Sequence, residues 1–211
     1  MILPESERRR WFIEPFDKNN IGVLTRQKLL KIYPDLLSKR VIELDDKRIT
    51  AIESGTFQNL PALEELALHD NKITIISRDV FQNLPALKKL TLNDNQITTI
   101  FSGTFQNLPA LEKLALNDNQ ITNIEIDAIK DLPALEKLTL HNNQFTNNSL
   151  LTVKDLPRLN ILSIHRTNII DEVGFLDERW RNLPSLSYVP LYNQPSYYDS
   201  DYEYPEPNRD Y

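Results

Sequence analysis

The chain has 211 residues, of which 40% are hydrophobic and 26% charged, so it can bury a core as one or at most two globular units. A formal net charge of −6 argues against a general binder of phosphate backbones, which usually carries a basic surplus. The sequence contains no cysteine, which excludes disulfides, thiolate catalysis and cysteine-ligated zinc and favours a reducing compartment. Because no run of about 18 apolar residues occurs and Glu5 interrupts the first apolar residues, we expect neither a signal peptide nor a membrane span.

Residues 1–38 are predicted to form a helical N-terminal cap. The pattern favours one helix from about Glu5 to Ile13 and a second from Thr25 to Ser38, with Thr25 as the N-cap residue. The second helix is expected to bury one apolar face, made of Leu29, Leu30, Ile32, Tyr33, Leu36 and Leu37.

The connector between these helices, residues 17–28, resembles a degenerate EF-hand loop. Asp17, Asn19 and Gly22 stand at the first, third and sixth loop positions. Ile21 and Lys28 stand at the fifth and twelfth positions, where calcium requires oxygen ligands. We therefore expect a helix-loop-helix cap and no calcium site.

A repeat with a period of 24 residues fills the middle of the chain. Residues 63–71 (LEELALHDN) recur in related form at 87–95, 111–119 and 135–143, and a Leu-Pro step closes each copy. A unit that cannot bury its own apolar side must stack on its neighbours, so the repeat predicts a solenoid.

The unit, LxxLxLxxNxIxxIxxxxFxxLPx, resembles that of the leucine-rich-repeat family from about residue 39 to 191. The resemblance implies an α/β repeat fold, a right-handed horseshoe solenoid with a parallel β-sheet on its concave face. We expect about six repeats and a partial last strand at Leu186. The regular, cysteine-free units closed by Asn-Leu-Pro-Ala-Leu also resemble small leucine-rich-repeat effectors of intracellular bacteria, of the Legionella kind.

One asparagine in each full repeat follows the strand, where its amide can both donate to and accept from buried backbone groups. This predicted structural ladder consists of Asn71, Asn95, Asn119 and Asn143.

Alternate strand residues are expected to point away from the core, onto the concave face. The predicted partner-binding residues there are Glu65, His69, Asp70, Lys89, Asn93, Asp94, Lys113, Asn117, Asp118, Lys137, His141, Ile161, His165 and Arg166. His141 should lie beside His165, but a third ligand is lacking, so we expect no metal. Four aspartates at the eighth place of the repeat, Asp46, Asp70, Asp94 and Asp118, are expected to form a column across neighbouring strands. They either cap turn amides and are copied by duplication, or form an acidic stripe that faces a basic patch.

Residues 192–211 form an acidic, tyrosine-rich C-terminal tail with five carboxylates and one arginine. The tail is expected to pack on the last repeat or contact a partner, and its tyrosines are alternatively substrates for a kinase or sulfotransferase. The residues concerned are Tyr197, Tyr198, Tyr202 and Tyr204.

These features predict a protein–protein interaction module and not an enzyme, because no cysteine nucleophile, phosphate-cradling glycine loop or catalytic constellation is present. We expect no cofactor, no nucleic-acid partner, no membrane insertion and a monomer outside the complex. The expected partner is a host protein, or another bacterial effector or enzyme, which the concave face holds or occludes.

The expected location is the cytoplasm, or a host cell reached through a bacterial secretion system. The alternative is a secreted or cell-surface leucine-rich-repeat receptor or adhesion fragment with sulfated or phosphorylated tail tyrosines.

Overall fold

The computed structural model describes residues 17–145 and 156–167, together with the backbone of residues 185–187. The elements in chain order are β1 (Gly22–Leu24), α1 (Arg26–Ile32), a 3₁₀ helix (Leu36–Ser38), β2 (Val41–Glu43), β3 (Ile49–Ile52), β4 (Glu65–Ala67), β5 (Lys89–Thr91), β6 (Thr99–Ile100), β7 (Lys113–Ala115), β8 (Asn123–Ile124), β9 (Lys137–Thr139), β10 (Ile161–Ser163) and β11 (Ser185–Ser187).

The main sheet has seven parallel strands in the order β11-β10-β9-β7-β5-β4-β2. Each strand pairs with the strand one repeat away, so Leu66 lies beside Leu90 and Leu90 beside Leu114. The sequence period of 24 therefore becomes the register of the sheet. This is the parallel-sheet solenoid that the repeat predicts, and its last strand, β11, contains Leu186.

The core consists of columns of equivalent apolar side chains between the sheet and the opposite flank of the solenoid. Leu66, Leu90 and Leu114 are at most 1% exposed. Phe81 stacks between Phe57 and Phe105, with ring centroids 6.1 Å apart on both sides. Burial of one such side chain stabilises the fold by about 1.5–3 kcal/mol, so each repeat contributes through contact with the next.

The opposite flank carries short strands and tight turns. β3 pairs with β1 from the N-terminal segment, and β6 pairs with β8. The residue before four of the Leu-Pro steps has a positive φ of 54–59°, a conformation that asparagine and aspartate tolerate better than most residues. The residues are Asn59, Asn83, Asn107 and Asp131.

Helix α1 begins where predicted but ends earlier. The Thr25 hydroxyl oxygen accepts a hydrogen bond from the Lys28 backbone N–H at 3.2 Å. The helix stops at Ile32 and does not continue to Ser38. The physical reason is Pro34, which lacks an N–H and disfavours helical backbone at Tyr33. The predicted helix from Glu5 to Ile13 lies outside the described residues.

The expected apolar face of this segment is also narrower than predicted. Leu29 and Leu36 are buried, but Leu30 and Leu37 are 43% and 64% exposed. The early end of α1 explains the exposure of Leu37, because the residues after Pro34 no longer follow the period of one helix. Leu30 lies within α1, about 100° around the helix from the buried Leu29.

Tyr33 completes the N-terminal edge of the main sheet. Its hydroxyl accepts a hydrogen bond from the Glu43 N–H at 3.0 Å and donates one to the Glu43 carbonyl at 2.8 Å. These are groups that a further strand would otherwise satisfy. A single side chain therefore substitutes for a neighbouring strand at β2.

The acidic tail, with Tyr197, Tyr198, Tyr202 and Tyr204, lies outside the described residues, as do parts of the sixth repeat. In the part of the chain that the structure describes, no helix combines the length and apolar character needed to cross a bilayer.

Candidate functional site

The main sheet presents three rows of side chains on its concave face, from the third, fifth and seventh places of the repeat. An eighth-place residue follows each strand, and together these residues are called the display face. Among the predicted binding residues, Glu65, Asp70, Lys89, Asp94, Lys113, Lys137 and Arg166 are exposed, whereas His69, Asn93, Asn117, Asp118, His141, Ile161 and His165 are partly buried.

The third-place row contains Lys89, Lys113 and Lys137, called the lysine row, in register on neighbouring strands. The ammonium group of Lys89 lies 3.6 Å from the Glu65 carboxylate. Within residues 17–145 and 156–167, Lys113 and Lys137 form no ion pair. Adjacent parallel strands are about 4.8 Å apart, so these two like charges stand side by side, and no described residue supplies a counter-charge.

Small side chains fill the middle row beside the lysine row, forming the small-residue trough. Its members are Ala67, Thr91, Ala115, Thr139 and Ser163. At its N-terminal end, the strands enclose an open cavity of about 330 Å³. Three carboxylates, those of Glu43, Asp45 and Glu65, line this cavity together with the ammonium group of Lys89, so this end of the display face has a net negative charge. The display face is therefore bipolar along the sheet.

A histidine pair lies at the C-terminal end of the display face. The rings of His141 and His165 are stacked, with centroids 4.4 Å apart and planes inclined by 10°. The Ser163 hydroxyl lies 2.9 Å from Nδ1 of His141 and 3.1 Å from Nδ1 of His165. Since the hydroxyl has one proton, it donates to one ring and accepts from the other. This fixes both ring orientations.

The surroundings shift the titration of this cluster. Burial lowers the pKa of His141, although the carboxylate of Asp118 raises it in part. Burial and then the charges of His141 and Arg166 lower the pKa of His165. Burial alone would raise the pKa of Asp118, but hydrogen bonds from Asn117 and Asn142 lower it below its ordinary value. Both imidazoles are therefore neutral at neutral pH, beside an ionised carboxylate.

The cluster of Ser163, His141 and Asp118 has the residue types of a catalytic triad but not its geometry. Nε2 of His141 lies 3.8 Å from the Asp118 carboxylate, which is too long for a hydrogen bond. Ser163 is only 7% exposed, so a substrate could not reach its hydroxyl. The arrangement orients two rings for contact. Among the described residues, no group of three or more His, Cys, Asp or Glu residues could hold a metal ion.

The asparagine ladder lies directly beneath the display face. The side chain of Asn95 accepts from the Ile73 N–H at 2.9 Å and donates to the carbonyls of Leu68 and Leu92 at 3.0 and 3.1 Å. Equivalent bonds are made by Asn71, Asn119 and Asn143. Each amide joins two successive repeats and satisfies backbone groups that the turn would leave unpaired.

The neighbouring aspartate column has a conformational cause. Asp46, Asp70, Asp94 and Asp118 all have φ of 50–55°, and Asn142 and Arg166 share this value at the same place. Asparagine and aspartate are the non-glycine residues that adopt this region most readily. The aspartates therefore suit a backbone turn. The expected bonds to turn amides are not what their side chains make, because Asp94 and Asp118 accept from Asn93 and Asn117 at 2.7 Å.

The EF-hand-like loop contains an internal cation. The Lys28 ammonium group donates to the carbonyls of Ile21 and Val23 at 2.7 and 2.8 Å. Val23 stands at the seventh loop position, whose carbonyl binds the ion in a calcium-loaded EF-hand. Gly22 has a φ of 62° at the sixth position. The ammonium group of Lys28 thus occupies hydrogen-bonding carbonyls of the loop that a bound cation could otherwise contact. The sequence pattern alone did not indicate this role of Lys28.

The comparisons with known proteins agree with this geometry. The family model described as "Leucine rich repeat" matches residues 40–97 and 85–145, which together make up half of the chain. The chain belongs to the leucine-rich-repeat family. No curated protein gave a significant match to it.

The crystal structure of a TLR13–ssRNA13 complex is similar to this leucine-rich-repeat chain. The two share 32% sequence identity with a TM-score of 0.54, over 60% of this chain and 18% of TLR13. The chain thus corresponds to less than a fifth of that protein's length. The likeness supports the solenoid fold independently of the repeat count.

Proposed function

We propose that the chain binds a partner protein through its display face and holds or occludes that partner. Leucine-rich-repeat solenoids present extended concave surfaces for binding, and they act as binding modules more typically than as enzymes. The single observation that carries the proposal is the pair of exposed ammonium groups, Lys113 and Lys137, on adjacent strands without a counter-charge in the described chain.

The charge pattern around this pair supports a specific surface. Three other cationic side chains of the repeats have local partners: Arg40 and Lys88 pair with Glu64, and Arg158 pairs with Glu136. Like charges side by side on a sheet are mildly destabilising, and an acidic group from a partner would remove this penalty.

The opposite end of the display face favours the other sign of charge. Glu43, Asp45 and Glu65 surround the cavity beside Ala67, where a basic side chain of the partner would fit. A bipolar face selects both the identity and the orientation of a partner, because a reversed partner would bring like charges together. This pattern is better suited to a folded protein than to a uniformly anionic nucleic acid.

The finer hypotheses stay predictions. An effector of an intracellular bacterium, or an inhibitor that plugs an enzyme, is supported by the style of the repeats. Action within the cytoplasm or a host cell belongs to that hypothesis.

The second candidate is a secreted or cell-surface leucine-rich-repeat receptor or adhesion fragment, favoured by the tyrosines among acidic residues in the segment 192–211. Intact-mass spectrometry of the native protein would detect sulfate or phosphate on its tyrosines, which this candidate predicts.

The proposal is tested by affinity purification with the full chain as bait, followed by mass spectrometry. The Lys113→Glu/Lys137→Glu variant should lose a protein that the wild-type chain captures. The matched control is Lys18→Glu/Lys72→Glu, which changes the formal charge equally at two exposed lysines off the main sheet. Equal loss in both variants, or retention in both, would contradict the proposed site.

A further inference from the structure

The lysine row has a candidate occupant within the same chain. We propose that the acidic segment, residues 192–211, docks across the C-terminal half of the display face, with its carboxylates on Lys113 and Lys137. This inference does not depend on the proposed function, because the occupant belongs to the chain itself.

Charge complementarity is the first argument. The acidic segment contains Asp199, Asp201, Glu203, Glu206 and Asp210 against Arg209, a net charge of −4 (five carboxylates minus one guanidinium). The C-terminal half of the face offers two exposed ammonium groups, Lys113 and Lys137, on adjacent strands, and neither has an ion-pair partner among the described residues. Opposite charges in direct contact attract each other even in water, so this complementarity favours docking.

The order of residues in the segment is the second argument. From residue 198 to 204 the sequence is Tyr-Asp-Ser-Asp-Tyr-Glu-Tyr, so acids occupy the odd positions and tyrosines the even positions except for Ser200. In an extended chain, alternate side chains point to opposite sides. One edge of the segment would therefore carry three carboxylates and the other three tyrosine rings.

The display face has a cationic side and an aromatic side, which match the two edges of the segment. The lysine row lies along one side of the small-residue trough, and the stacked rings of His141 and His165 lie on the other side. The small side chain of Ala115, which is partly exposed, leaves room for an extended backbone between them. Neutral imidazole rings are suitable partners for tyrosine rings through stacked or edge-to-face contacts.

The linker is long enough to reach this position. Ser187 ends β11, and Asp199 follows twelve residues later, a span of up to about 40 Å when extended. Lys137 and Lys113 lie on the second and third strands from β11, about 10 and 15 Å across the sheet. Because the segment is tethered, its effective concentration is about 1 mM, so weak contacts suffice.

The first experiment is carbodiimide cross-linking of the full chain at low concentration, which joins carboxylates to lysines in direct contact. Mass spectrometry of the monomer should find links from Asp199, Asp201 or Glu203 to Lys113 and Lys137. Links spread equally to Lys18 and Lys72, links found only between molecules, or no links at all would overturn the proposal.

A second measurement keeps both lysines intact and changes only the segment. With a segment dissociation constant of about 0.3 mM, roughly three quarters of molecules would be docked and acetylation of Lys113 and Lys137 would be slowed about fourfold. Neutralising the segment with Asp199→Asn/Asp201→Asn/Glu203→Gln should restore fast acetylation there, while Lys18 and Lys72 stay unchanged. Identical rates before and after neutralisation would contradict docking.

A composition-matched control tests the alternation. Asp201→Tyr combined with Tyr202→Asp keeps the composition of the segment but moves one carboxylate to the tyrosine edge and one tyrosine ring to the carboxylate edge. We expect faster acetylation of Lys113 and Lys137 than in the wild-type chain, and an unchanged rate would refute the alternating arrangement. The variant with the neutralised segment keeps the lysine row, so it should still capture the partner protein. Its partner capture therefore tests the proposed function separately from the docking of the segment.

Discussion

The central repeats and the N-terminal edge stabilise the same solenoid by different means. In the repeats, one set of contacts is copied, as in the asparagine amides that join successive turns. At the edge, each contact occurs once, as in Tyr33 on the β2 backbone and Lys28 within the loop. Copied contacts explain the fold, whereas contacts and charges that occur once mark where this chain differs from a generic repeat.

The largest expected effect breaks a copied contact. Asn95→Ala removes an acceptor for the Ile73 N–H and a donor to two buried carbonyls, so we expect a loss of about 1–3 kcal/mol of unfolding free energy. Chemical denaturation measures the loss. The exposed neighbour Gln96→Ala should change the stability by less than about 0.5 kcal/mol. Similar losses at both residues would show that the ladder is not what holds the repeats together.

A smaller loss is expected at the edge. Lys28→Met keeps the length of the side chain but removes the donor to the Ile21 and Val23 carbonyls, and we expect a loss of about 1–2 kcal/mol. Lys28→Glu should be destabilising too, and calcium should not rescue it, because Ile21 supplies no ligand at the fifth position. Thermal melts with and without calcium check this, and a calcium-dependent rise in Tm would contradict it.

The histidine pair predicts a dependence of stability on pH. The pKa values of His141 and His165 are lowered from 6.5, so the native state binds fewer protons than the unfolded chain below that pH. The contribution of the two histidines to the free energy of unfolding is therefore complete above about pH 6.5. It is lost as the pH falls toward the native pKa values. The charged groups around the pair are Asp94, Asp118, Lys137 and Arg166.

Denaturation of the wild-type chain and of His141→Gln/His165→Gln at about pH 7.5 and about pH 5.5 tests this dependence. Acidification should destabilise the wild-type chain more than the variant. Equal losses would assign the pH effect to other groups.

The smallest effect concerns the aspartate column. Asp94 has a φ of 55°, which glycine adopts without steric strain, so Asp94→Gly should change the stability by less than about 0.5 kcal/mol. Asp94→Val should cost about 1–2 kcal/mol, because a β-branched residue is strained there. Comparison of the two melting curves measures the difference. If both substitutions were harmless, the conformational explanation of the column would be wrong.

Sequence periodicity predicts the sheet well because it fixes register directly. Equal spacing places Leu66 beside Leu90 and His141 beside His165 without any knowledge of the third dimension. Features that depend on single contacts were not predictable in this way. The strand β1 and the role of Lys28 depend on contacts with neighbouring backbone that have no repeated signature.

The end of α1 and the cause of the aspartate column were misjudged, although the local sequence indicates both. Pro34 indicates the end of α1, because proline disfavours helical backbone at the preceding residue. The recurrence of aspartate or asparagine at one turn place is typical of positive φ, which explains the column better than capping does.

Calorimetry with the protein recovered by affinity purification tests whether the lysine row is a binding site for a partner protein. We expect Lys113→Glu/Lys137→Glu to raise the Kd at least about tenfold, equivalent to about 1.4 kcal/mol. Lys18→Glu/Lys72→Glu should leave the Kd nearly unchanged at the same ionic strength. An unchanged Kd in the first variant, with its Tm preserved, would contradict the claim and place the binding site elsewhere on the solenoid.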